Sequence, residues 1–79
     1  MVIPFKGSPE ANNVKKLGER IKELREGKNY TQKKLGEMAG YQQPDILRIE
    51  TGLIDLRFTQ LKTIAETFEI TISELLSGL

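Results

Sequence analysis

Gln43, Leu47 and Arg48 are the side chains of this 79-residue chain whose types and spacing suggest chemistry, and that chemistry is recognition. A glutamine amide offers a donor and an acceptor side by side and can bond adenine N6 and N7 together; a guanidinium can do the same to guanine O6 and N7. An outward leucine meets a thymine methyl. Reaction chemistry finds no comparable set of residues. Histidine and cysteine are both absent, so the usual proton shuttle, the Ser-His and Cys-His nucleophile pairs and the common zinc ligand sets are missing. The expectation is a protein that is not an enzyme, with no cofactor and no metal. Disulfides are equally excluded, which is consistent with a reducing cytoplasm.

Side chains that read base edges must be presented by a rigid element, and the stretch from Gln32 to Thr51 supplies one. Leu35, Ala39, Ile46 and Ile49 are the inward positions of two short helices; Gly36 lets the second cross close over the first, and Gly40 occupies the turn between them. A helix ending that sharply needs a residue at positive φ, which glycine adopts without a Cβ clash, and Tyr41 then returns to the core. Helices joined in this way form a helix-turn-helix unit whose second helix is presented to the major groove. Exposed residues at its start and one turn later are Gln43, Pro44, Leu47 and Arg48. Pro44 fits because it lies in the first helical turn. Arg48 is also placed to pair with Asp45 three residues before it.

The rest of the chain divides into helices as well. Asn12 or Asn13 is placed to cap a first helix with Val14, Leu17, Ile21 and Leu24 on one stripe, and Gly27 to close it. Thr31 and Gln42 are the caps of helices two and three, Gly52 ends helix three, and residues 53–58 form a linker. Leu61, Ile64, Ala65 and Phe68 make the apolar face of helix four, and Thr71 to Glu74 is a capping box opening a short fifth helix. The predicted architecture is all-α, with five helices and no strands. Residues 1–12 are expected to form a flexible N-terminal arm and 13–79 the domain, with no signal peptide or membrane span.

Together, LGERIKELRE, TQKKLGEMAGYQQPDILRIETG and LKTIAETFEITISELL make the chain resemble the Cro/C1-type (XRE, phage repressor-like) helix-turn-helix domain from about Val14 to Leu76. The resemblance implies a compact lambda-repressor-like fold and a sequence-specific DNA-binding regulator. It implies that Gln43 reads a base and that Gln32 binds a backbone phosphate, reinforced by Thr31 and the free amides of that helix end. Lys28, Asn29, Lys33 and Lys34 are neighbours of that anchor. Arg25 and Glu50 match paired positions on helices one and three, where an ion pair fixes the recognition helix. Leu53 and Ile54 stand where the family often has basic residues.

The net charge of +1 conceals an asymmetry: nine Lys and Arg against four Glu through Lys34, and three against seven acidic residues thereafter. The positive half suits a polyanion on one side, while Asp45 near phosphate predicts modest affinity or a need for two domains. So small a chain buries one small core, and association with a second copy would add stability. Leu53 and Ile54, or Leu75, Leu76 and Leu79, are the candidate dimer surfaces. The sequence therefore predicts a cytoplasmic, dimeric regulator, a repressor by expectation, that binds double-stranded DNA at an inverted repeat. The rival is a protein-interaction module of the same fold, such as an antitoxin or controller subunit acting through a protein partner.

Overall fold

The computed structural model describes residues 9–79, with side chains from residue 13 onward. Five helices follow in order: α1 Pro9–Gly27, α2 Gln32–Ala39, α3 Gln43–Glu50, α4 Phe58–Thr67 and α5 Ile72–Leu75. No strand occurs among the described residues. The arm expected over residues 1–12 lies, for residues 1–8, outside the described residues, while 9–12 are the first turn of α1.

Asn12 and Asn13 are therefore inside α1 and not its caps. Proline suits the first turn of a helix because its missing N–H would find no partner there, and this places the start at Pro9. Leu17 and Ile21 carry the buried stripe, with Leu24 packed at its margin. Gly27 is the last helical residue, but the reversal itself falls on Asn29 at φ 60°. Asparagine is among the few side chains that tolerate the left-handed region. The Tyr30 N–H then reaches back to the Arg25 carbonyl at 3.0 Å.

Thr31 caps α2 by accepting the Lys34 N–H at 3.0 Å, and Gly40 ends it at φ 84°. The expected crowding at Gly36 comes from the turn and not from the crossing helix. A Cβ there would stand 2.5 Å from the Tyr41 carbonyl oxygen, and the Tyr41 N–H in turn bonds the Gly36 carbonyl at 2.7 Å. Tyr41 packs against the core as it leaves the turn. In α3, the Gln42 N–H is capped by Asp45 Oδ2 at 3.3 Å, and Pro44 sits in the first turn, where its missing donor costs nothing.

Residues 51–57 connect α3 to α4, whose first residue is Phe58, so the linker begins two residues and ends one residue earlier than expected. Thr71 and Glu74 form the capping box of α5: Thr71 Oγ1 accepts the Glu74 N–H, and Glu74 Oε1 accepts the Thr71 N–H, each at 3.0 Å. Leu17, Ile21, Leu35, Ile46, Ile49, Leu56, Ile64, Ala65, Phe68 and Leu75 make one continuous core to which every helix contributes. Among the described residues, no helix is long and apolar enough to cross a membrane.

Candidate nucleic-acid interface

A buried ion pair is the foundation of the site. Arg25 on α1 donates from Nε to Glu50 Oε2 at 2.6 Å and from Nη2 to Glu50 Oε1 at 3.1 Å. Its remaining nitrogen, Nη1, reaches the Tyr30 carbonyl at 2.8 Å. The bond to Glu50 raises the Arg25 pKa above its ordinary value, against the opposing effect of burial. One guanidinium thus ties α1 to the end of α3 and to the segment leading into α2. Two parallel N–H···O bonds fix orientation as well as distance.

From Glu50 the contacts continue outward. Gln32, at the start of α2 and half-buried, donates Nε2 to Glu50 Oε1 at 3.1 Å. Gln43, the exposed first residue of α3, donates Nε2 to Gln32 Oε1 at 2.7 Å. The starts of the two helices therefore meet side chain to side chain. Sequence reasoning assigned Gln32 and Gln43 separate tasks and did not join them.

Gln43, Pro44, Leu47 and Arg48 are all exposed along α3, with Leu47 47% accessible. Arg48 Nη1 lies 3.1 Å from Asp45 Oδ1, and both side chains stay solvated, so in the free chain this is a surface pair of small energetic weight. Asp45 is thereby partly neutralised while it caps α3. Thr31, Lys28, Asn29, Lys33 and Lys34 are exposed around the start of α2, whose first amides have no partner along the helix. Exposed amides and cations therefore accompany the starts of α2 and α3.

Residues 18–78 match the model of a helix-turn-helix domain family. The chain belongs to the Cro/C1-type helix-turn-helix family. It is 39% identical over 62 residues to the HTH-type transcriptional activator BcrR of Enterococcus faecalis, covering 78% of this chain and 30% of that protein. The chain thus spans under a third of that relative's length. Among solved structures, the restriction-modification controller protein C.AhdI of Aeromonas hydrophila superposes with a TM-score of 0.79 at 24% identity, over 85% of this chain and 97% of that one. ComR of Streptococcus suis does so with a TM-score of 0.73 at 25% identity, over 85% of this chain and 22% of that one. The chain is a helix-turn-helix domain.

Away from α3, the helix-turn-helix domain leaves some apolar groups uncovered. Leu53 is 75% exposed and Phe58 66%. Leu75 is fully enclosed in the core, so the expectation that it forms part of a dimer surface is corrected: α5 turns it inward against α4. Ile54 is half-buried and packs against the core, which leaves Leu53 as the free member of that pair. Leu76 and Leu79 border a groove of about 460 Å³ with Asn13, Val14, Leu17 and Asp55. The exposure of Phe58 escaped sequence reading, since a phenylalanine next to a helix start ordinarily signals core.

Proposed function

We propose that this chain binds specific double-stranded DNA by placing α3 in the major groove, with Gln43 reading a base, Leu47 meeting a thymine methyl and Pro44 lying close against the groove. Arg48 exchanges Asp45 for a guanine edge or a phosphate. Gln32, Thr31 and the first amides of α2 hold the backbone, with Lys28, Asn29 and Lys33 beside them. The observation that carries this reading is the contact between Gln43 and Gln32, which brings a base reader and a phosphate anchor to one rigid point. Net charge is low and Asp45 is adjacent, so a single domain binds weakly and two domains on an inverted repeat supply the affinity. Leu53, Leu76 and Leu79 are the candidate contacts between the copies. The setting is the cytoplasm of a prokaryote or the host of a phage.

Whether binding represses or activates depends on where the site lies relative to the promoter. Repression requires occupancy alone, while the likeness to an activator supports activation as the second reading. A protein partner is the other alternative, favoured by the exposure of Leu53 and Phe58 and by the fold's likeness to a protein solved as the SINR/SINI complex, at 28% identity and a TM-score of 0.68. Selection of bound sequences from random duplex DNA tests the proposal. An inverted repeat with half-sites about one helical turn apart is expected. Enrichment of no sequence would favour the interaction module instead.

A further inference from the structure

We infer that the groove between α1, the α3–α4 linker and the segment after α5 binds a small molecule with an apolar body and one cationic head, a hydrophobic amine. The inference does not depend on the reading of DNA by α3. Three separate parts of the chain line the groove: Val14 and Leu17 from α1, Asp55 from the linker, and Leu76 and Leu79 after α5. Leu17 is itself a core residue, so the floor of the groove is the edge of the core. A volume of about 460 Å³ falls within the roughly 300 to 1,000 Å³ of small-molecule sites, which are mostly apolar with a few placed polar groups. The linker is a firm wall. Asp55 stands between half-buried Ile54 and buried Leu56, and Gly52 lies so close to α1 that a Cβ there would be 3.0 Å from the Lys15 Cα.

Charge selects the class of ligand. Asp55 is exposed at the groove and, among the described residues, has no ion-pair partner. The other polar side chain of the described lining is the Asn13 amide, and no lysine or arginine belongs to that lining. An ammonium there gains the Asp55 carboxylate and can donate to the Asn13 carbonyl, whereas an anion with the same body would meet like charge. A second copy could also cover Leu76 and Leu79. It would bring its exposed Leu53 or Phe58, however, and those leave Asp55 unanswered.

The probes are phenethylamine and hydrocinnamate, which share a phenylethyl body and differ in the sign of the head. Each is titrated into the full, isotope-labelled chain with amide chemical shifts as the readout. Phenethylamine is expected to shift the amides of Val14, Leu17, Asp55 and Leu76 saturably, and to bind about fivefold or more tightly than hydrocinnamate. Asp55→Asn keeps the shape and removes the charge, so it should weaken the amine by about fivefold and bring the two probes within about twofold of each other. Leu79→Ser removes apolar wall alone and should weaken both probes alike. Equal affinity of the wild type for the two probes, or an amine affinity indifferent to Asp55→Asn, overturns the inference. So does the absence of saturable shifts at the groove. Amine affinity that falls as protein concentration rises overturns it as well, and gives the groove to a second copy.

Discussion

Glu50 accepts three hydrogen bonds from two side chains at the end of a short helix, and it is 5% exposed. A buried carboxylate in that position is tolerable only while its donors are present, because desolvation outweighs any residual attraction once they are gone. Glu50→Ala leaves Arg25 charged and without its main partner, and should lower unfolding stability by roughly 3 to 5 kcal/mol. Urea denaturation measures it, and an unchanged midpoint would mean that the pair does not hold the helices. At this scale the sequence was informative about residue types. The pairing of Arg25 with Glu50 was implied by the family resemblance and is present, and the exposed place of Gln43 at the start of α3 followed from the position of the turn. The bond between Gln32 and Gln43 was not legible, because it depends on the angle at which α2 and α3 cross, and a few degrees would separate the two amides.

Among the elements, the approach of α1 to the end of α3 governs whether that angle is kept. Gly18 makes it possible: a Cβ there would stand 2.4 Å from the Ile49 carbonyl oxygen and 2.7 Å from that of Glu50. Backbone oxygens cannot swing aside as a side-chain tip can. Gly18→Ala should therefore force the helices apart and destabilise the fold by about 1 to 3 kcal/mol, seen as a lower thermal midpoint. Wild-type stability in that variant would show that the contact yields. Gly18 was missed because a glycine inside a helical stripe looks like a weak position until its neighbour is known. Helix starts were legible where a side chain had one clear role, as at Thr31 and Thr71. They were misplaced where a good capping residue lay inside a segment that could remain helical, as at Asn12 and Asn13.

The Thr71 capping box also makes α5 sensitive to acid. Bonds from the Thr71 N–H and hydroxyl hold the Glu74 carboxyl below its ordinary value of 4.5. A lowered folded value means that the stabilisation is complete above the unfolded pKa and is lost as pH falls through the folded one. Glu74→Gln should therefore narrow the gap in stability between neutral pH and pH values below the ordinary carboxylate range. Parallel urea titrations at the two pH values measure it. An equal loss in both proteins would assign the acid sensitivity elsewhere.

For the whole molecule, the proposed binding to DNA and to a second copy rests on the separation of charge along the chain and on the apolar groups outside the core. Leu53→Glu should abolish dimerisation if the linker is the contact, and Leu79→Glu if the groove beside Leu76 is. Leu75→Glu should unfold the chain in either case, since that side chain is fully buried. Sedimentation equilibrium with circular dichroism separates these outcomes, and a monomer at high micromolar concentration both alone and on DNA would exclude a dimer. The five-helix order and the core were legible because apolar periodicity reports burial directly. The state of assembly was not, because Leu75 and Leu79 belong to the same residue type and differ only in which way the short last helix turns them. The central claim is that α3 reads sequence through Gln43. Titration of the wild type and Gln43→Ala on a selected duplex and on a scrambled one tests it most directly. A loss of about 1 to 3 kcal/mol on the selected duplex with little change on the scrambled one is predicted. Equal losses on both would show that Gln43 does not read a base.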